Sequence, residues 1–259
     1  MQRIKDIELF VSDMDGTVYL GDKLLDGALE FAQAVKDSGK RLIFFTNNAS
    51  KNPEIYVEKL KKMGFDATRN DVVTAGDVTC TFLNKNHKGA KVYLVGTPAL
   101  EKAFREHEIN LTDGTEADIV VSSFDTTLTY EKLEKACTLI RNGALFYSTH
   151  PDFNCPTENG YIPDSGAICA LITASTNVLP RYFGKPHKET ADAISEISKI
   201  PLSKTAVIGD RLYTDIALGK NHGLLSILVL TGESTKDDIT PDNAPDIVFS
   251  SIGDIIRFL

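Results

Sequence analysis

Ile7 to Val11 is a short apolar run that ends in Ser12-Asp13. The period then changes, and Ala28, Leu29, Phe31, Ala32 and Val35 fall on one helical face before Gly39 stops it. Leu42 to Phe45 reads as a second buried strand, and Asn52-Pro53 supplies an N-cap and a first-turn proline for a helix running to Gly64. The alternation returns through the middle, with strands at Val92 to Val95, Ile119 to Val121 and Ala144 to Tyr147. Helices are expected from Pro98, from Thr129 and over Ala167 to Ala174. Near the C-terminus come strands at Thr205 to Ile208, Leu225 to Leu230 and Ile247 to Phe249, with helices over Tyr213 to Asn221 and at the end of the chain. Strands that alternate with helices need crossover connections, so the rhythm predicts an α/β fold around a parallel sheet.

Composition places the chain among ordinary globular proteins. Of 259 residues, 42% are hydrophobic and 25% charged, enough to bury a core. The net charge of -8 and the lack of a basic stripe argue against a nucleic-acid partner. They also mean that an anionic ligand would need local cations or a metal to overcome the field. The longest apolar stretch, Leu224 to Leu230, is too short to span a bilayer, the N-terminus shows no apolar signal core, and Cys80, Cys137, Cys155 and Cys169 have no CxxC spacing. A cytoplasmic protein with free thiols and no membrane association is expected.

Chemistry-bearing residues gather where the apolar strands end. Asp13 and Asp15, in Asp13-Met14-Asp15-Gly16-Thr17, can point to one side of an extended chain and invite a cation, although an Asp-Gly pair also closes ordinary turns. A calcium loop starting at Asp13 would need an acidic ligand where Leu24 stands. Thr46-Asn47-Asn48 offers a hydroxyl and two amides to an oxyanion or simply caps a strand. Lys185, between Gly184 and Pro186, can aim a charge at phosphate or solvate a surface. Asp210 ends another strand, and Asp215 falls in the first turns of the following helix, where it can also serve as a favourable N-terminal charge. No GxGxxG or GxxxxGK[ST] loop is present, which counts against a nucleotide-binding module.

Taken together, Asp13-x-Asp15-Gly16-Thr17, Thr46-Asn47-Asn48, Gly184-Lys185-Pro186 and Gly209-Asp210-x-x-x-Thr214-Asp215 resemble, in order and placement, the four motifs of the haloacid dehalogenase (HAD) superfamily. Thr46-Asn47-Asn48-Ala49-Ser50 and Gly209-Asp210-Arg211 resemble its subfamily IIA, the NagD and 4-nitrophenylphosphatase branch. Thr149-His150-Pro151-Asp152 and Pro156 to Gly166 resemble a cap segment of that branch, with His150 where the branch often has Asn. The resemblance implies a Rossmann-like three-layer core with a large inserted α/β cap of C2 type. The core is expected over 1–80 and 183–259, and the cap over 81–182.

The same resemblance implies a magnesium-dependent phosphatase acting on small phosphorylated metabolites. Asp13 would be the nucleophile, forming an aspartyl-phosphate, and Asp15 the general acid and base. Thr46, Asn47 and Lys185 would bind phosphoryl oxygens. Mg2+ would be held by Asp13, the main-chain carbonyl of Asp15, and Asp210, with Asp215 in support. The cap would meet the leaving group, with Asn48, His150 and Asp152 as candidate contacts. Two alternatives share these residues: a phosphotransferase or mutase that passes the phosphoryl group to another hydroxyl, and a receiver-like signalling protein that keeps it. A homo-oligomer is left open.

Overall fold

The computed structural model describes residues 2–157 and 160–259; Glu158 and Asn159, within the expected cap segment, lie outside the described residues. In chain order the first half contains α1 (Gln2–Lys5), β1 (Leu9–Asp13), a small hairpin of β2 (Tyr19–Leu20) and β3 (Lys23–Leu24), α2 (Ala28–Asp37), β4 (Arg41–Thr46), α3 (Pro53–Lys62), β5 (Val72–Thr74), α4 (Ala75–Asn86), β6 (Val92–Val95), α5 (Pro98–Glu106) and β7 (Ile119–Ser122). The second half contains α6 (Tyr130–Arg141), β8 (Leu145–Ser148), β9 (Asn154–Thr157), β10 (Gly160–Pro163), α7 (Ser165–Thr176), β11 (Arg181–Tyr182), α8 (Lys188–Ser198), β12 (Thr205–Gly209), α9 (Ala217–His222), β13 (Leu225–Val229) and β14 (Ile247–Phe249).

Two compact units result. Met1–Thr46, Tyr56–Val73 and Lys185–Leu259 form the first; Asn47–Ile55 and Thr74–Gly184 form the second. In the first, six strands lie in the order β14-β13-β12-β1-β4-β5, and β1 is parallel to both β4 and β12. From β1 the chain builds outward to β4 and β5 on one side, and later to β12, β13 and β14 on the other. The carboxyl end of β1 is therefore the topological switch point, where open α/β sheets bind ligands. Register makes this concrete: Asp13 lies opposite Phe45 of β4, and Ser12 lies opposite Ile208 of β12. Asp13, Thr46 and Asp210 thus leave the sheet side by side.

β1 is apolar on both faces because both faces are covered. Phe10 meets Phe31 of α2 edge-on, with ring centroids 5.6 Å apart. Both rings are fully buried, and each such side chain contributes roughly 1.5–3 kcal/mol through the area it removes from water. Sequence periodicity misses part of the C-terminal detail. The segment expected as a helix from Tyr213 begins as a π-type turn over Leu212–Ile216 before α9, and the terminal helix is 3₁₀ over Ile252–Phe258.

The second unit holds a four-stranded sheet in the order β11-β8-β7-β6, whose pairings are parallel, and the antiparallel hairpin β9–β10. Its core joins Val95 and Val120 to Ile140 of α6 and Ile168 and Ile172 of α7. The division differs from the expected core of 1–80 and 183–259 and cap of 81–182, because 47–55, 74–80 and 183–184 fall in the second unit. The reason is local hydrogen bonding. At the start of α4, Asp77 Oδ2 accepts from Thr74 N at 2.8 Å while the Thr74 hydroxyl accepts from Asp77 N at 3.3 Å. The Asp77 carboxylate also meets His107 Nε2 at 3.0 Å, and Thr97 Oγ1 donates to the Ser50 carbonyl at 2.7 Å.

Candidate active site

Asp13 is the last residue of β1, and the chain turns sharply after it. The carbonyl of Met14 accepts from the N–H groups of Thr17, Val18 and Tyr19, while Gly16 N donates to the Tyr19 carbonyl at 2.8 Å. Gly16 takes φ +87°, a left-handed conformation that costs glycine little, and a Cβ there would lie only 2.5 Å from Asp210 Oδ2. The half-buried Asp15 sits in this turn, its backbone bridged to Tyr19. Thr46, at the end of β4, is buried.

Lys185 is 2% exposed. Its Nζ donates to Asp13 Oδ1 at 2.5 Å and to Asp215 Oδ1 at 2.6 Å, and it lies 5.2 Å from the Phe45 ring centroid. Asp215 reaches this position from the turn after β12. Thr214 Oγ1 donates to its second oxygen at 3.2 Å, and a Cβ on Gly209 would overlap its carboxylate. Asp13, Asp210 and Asp215 each present an oxygen within 4.8 Å of the others, although Asp15 contributes no side-chain oxygen to this group.

Lys185 meets two of these three carboxylates at contact distance, and burial together with the crowding of negative charge raises the proton affinity of Asp13 and Asp210. Burial raises Asp13 well above the usual carboxylate range; the nearby charge of Lys185 opposes this, and those of Asp215 and Asp210 add to it. Burial and the Asp215 charge push Asp210 up to about 6, against the N–H of Glu233. Burial pulls Lys185 down, but the Asp13 and Asp215 charges outweigh it and the ammonium is held above its usual value.

A divalent cation fits this arrangement. Asp210 Oδ2 accepts from Glu233 N at 2.7 Å, whereas Asp210 Oδ1 is buried with no hydrogen-bond partner among the described residues. An orphaned carboxylate oxygen costs free energy unless something positive meets it. With only oxygen donors around it, the site suits a hard ion of the magnesium, calcium or manganese kind.

Residues 10–110 match the haloacid dehalogenase-like hydrolase family, and 182–255 match a second HAD-hydrolase-like family. An acid sugar phosphatase of Staphylococcus aureus (strain MRSA252) is 37% identical over 242 residues, covering 93% of each chain. The chain belongs to the haloacid dehalogenase-like hydrolases. The crystal structure of a 4-nitrophenylphosphatase from Thermotoga maritima superposes with a TM-score of 0.94 at 46% identity, covering 98% of each chain. NagD from E. coli K-12 does so with a TM-score of 0.89 at 29% identity, covering 96% of this chain and 98% of that one. The chain is accordingly a HAD-type phosphatase of the NagD-like subfamily, with the α/β fold of that group.

In this HAD-type phosphatase the remaining candidates lie in the second unit. Asn47 Nδ2 donates to Asp152 at 3.2 Å, and Asn48 Oδ1 accepts from the Ser50 hydroxyl at 2.7 Å while its amide lies 3.9 Å from Cys155 Sγ. His150 is 0% exposed. Its Nδ1 meets the Thr149 hydroxyl at 2.9 Å and its Nε2 meets Asp164 Oδ1 at 2.8 Å, so the imidazole is set inside a hydrogen-bonded network. Asp164 in turn caps α7. This pairing joins residues 14 positions apart, and Asp164 lies in the cap-like segment Pro156 to Gly166 without being singled out by it. Sequence reasoning also missed the loop after β13. One signal for it existed: Thr231-Gly232 follows directly on a buried strand whose carboxyl end faces the same side as β1.

Proposed function

We propose that the chain is a magnesium-dependent phosphatase that hydrolyses small phosphate monoesters through an aspartyl-phosphate on Asp13. The observation that carries this is Asp13 itself, at the end of the central strand, 2.5 Å from a buried lysine and beside an orphaned carboxylate oxygen. An Asp13 oxygen forms a bond to phosphorus as the bond to the leaving oxygen breaks, and Asp15 gives that oxygen its proton. Asp15 then takes a proton from the water that attacks phosphorus, releasing phosphate and restoring the Asp13 carboxylate. Lys185 serves twice. Its charge favours ionised Asp13 against the effect of burial, and with Thr46 and Asn47 it binds the phosphoryl oxygens.

Asp13, the Asp15 carbonyl, Asp210 and Asp215 would hold Mg2+, which when bound offsets the charge of nucleophile and phosphate together. The names of the relatives support phosphate monoesters, sugar phosphates among them, as the class to test. Substrate preference is assigned to the second unit, a cap in this reading, where Asn48 and Asp152 are the candidate contacts and His150 holds their segment. The four free thiols support a reducing, cytoplasmic setting. No helix among the described residues is long and apolar enough to cross a membrane.

The test is phosphate release from a panel of monoesters with and without Mg2+, comparing the native chain with Asp13→Asn and Asp15→Asn. Release is expected only from the native chain with metal, and a hydroxylamine-labile phosphoenzyme is expected to accumulate in Asp15→Asn. Undiminished release by Asp13→Asn would remove Asp13 as the nucleophile. Transfer of the phosphoryl group to an added alcohol without free phosphate would replace hydrolysis by phosphotransfer. A phosphoenzyme lasting minutes in the native chain would support the receiver-like alternative.

A further inference from the structure

The four strand-end segments read from sequence leave Asp210 incompletely explained, because most of what holds it comes from a fifth. Thr231-Gly232-Glu233-Ser234 follows β13, next to β12 in the sheet. Glu233 N donates to Asp210 Oδ2 at 2.7 Å, Ser234 N donates to the Asp210 carbonyl at 3.1 Å, and the Ser234 hydroxyl accepts from Leu212 N at 3.2 Å. Thr231 Oγ1 reaches across to the nucleophile turn and donates to the Gly16 carbonyl at 2.6 Å. The Glu233 side chain closes the loop onto the β12 side, pairing with Arg211 Nε at 3.0 Å and accepting from the Tyr213 hydroxyl at 2.9 Å.

The backbone passes so close to Asp210 that a Cβ on Gly232 would overlap the carboxylate, and a Cβ on Gly16 would approach it from the other side. Asp210 is thus confined between two glycines from distant loops. One oxygen is satisfied by a main-chain N–H and the other is left without a hydrogen-bond partner among the described residues. A carboxylate needed only for folding gains nothing from an oxygen held bare, whereas a cation ligand needs one oxygen fixed and the other open.

We propose that Thr231–Ser234 is a positioning segment of the active site, which fixes Asp210 for the cation and ties it to the turn carrying Asp13 and Asp15. These residues act through Asp210 and Gly16. The inference rests on the phosphatase reading and adds to it a dependence that the motif residues do not carry. Gly232→Ala would displace the Asp210 carboxylate, and misplacement by about 1 Å costs on the order of 10²-fold in rate. Thr231→Val removes the link to Gly16, and Thr231→Ser restores it.

The experiment is calorimetric titration of each full-length variant with Mg2+ in the absence of substrate, alongside circular dichroism and phosphate release. Gly232→Ala is expected to stay folded, to bind Mg2+ at least about tenfold more weakly and to lose turnover on the order of 10²-fold. Thr231→Val is expected to lower kcat more than it raises KM, with Thr231→Ser recovering most of the loss. Native Mg2+ affinity in both Gly232→Ala and Thr231→Val would overturn the proposal while leaving the phosphatase reading in place. If Gly232→Ala fails to fold, Thr231→Val against Thr231→Ser decides alone. A native chain that neither binds Mg2+ nor releases phosphate would overturn both.

Discussion

Replacing Lys185 by Met keeps most of the aliphatic stem and deletes the charge that faces Asp13 at 2.5 Å and Asp215 at 2.6 Å. The environment is closed, with Lys185 2% and Asp215 0% exposed, so solvent does little to take over from the ammonium. Removing one partner of a buried ion pair costs about 3–5 kcal/mol, because the other charge is left uncompensated. For a chain of this size each kcal/mol moves the midpoint by about 2–4 °C, so a fall of roughly 6–20 °C is expected at pH 8 in EDTA. Two conditions should shrink the gap. Lowering the pH to 5 lets Asp13, already pushed towards its protonated form by burial, shed its charge. Mg2+ supplies the missing positive charge and should bind the variant more tightly than the native chain, and at a hundredfold excess over the variant's Kd it contributes about 2.7 kcal/mol by linkage. Thermal unfolding of both chains under the three conditions gives the comparison. Equal midpoints at pH 8 without metal would refute the reasoning, since the carboxylates would then not depend on Lys185 for compensation.

In the metal-free protein Asp210 keeps its proton up to about pH 6, against 3.8 as its ordinary value. Its contribution is therefore fully present below pH 3.8 and lost as pH rises through about 6, a decline of about 3 kcal/mol at 1.36 kcal/mol per pH unit. Urea unfolding across that range in EDTA should show a steeper decline for the native chain than for Asp210→Asn, in which Asp13, also raised, still titrates. His150→Ala leaves the Asp164 carboxylate and the Thr149 hydroxyl short of a buried partner and is expected to cost about 1–3 kcal/mol in thermal unfolding, with Asp13-dependent turnover retained. Asp152→Ala, which removes the hydrogen bond from the Asn47 amide to this carboxylate, is expected to change relative turnover across a monoester panel; uniform kinetics would leave Asp152 a purely structural role.

The sheet was legible because β1, β12 and β13 are buried on both faces and therefore spell continuous apolar runs. Asp13 and Asp210 were legible because each stands where such a run ends. Features carried by the main chain were not. Gly232 acts by lacking a Cβ and Glu233 by its N–H, and neither property distinguishes a residue in a single sequence. The boundary at Thr74 was hidden for another reason: Thr74-x-x-Asp77 spells a capping box, but the partners of Asp77 and Thr97 that draw the segment into the second unit lie about 30 and 47 positions away. His150 was a candidate ligand contact through the resemblance of its segment to a cap, and only the three-dimensional placement of Asp164 shows an imidazole engaged on both sides.

The central position of β1 has a consequence for how the protein is made. Its neighbour β4 leaves the ribosome soon after it, but β12 begins at Thr205, and the Asp13–Lys185 contact spans 172 positions. The whole second unit is translated in between and can fold before the first is complete. During that interval Asp13 is an ordinary solvated carboxylate on an unfinished sheet edge. The nascent chain therefore stays chemically silent until its last quarter emerges, and a message truncated before β12 would yield a folded second unit and a Lys185 with neither Asp210 nor Asp215, and so no metal pocket and no activity.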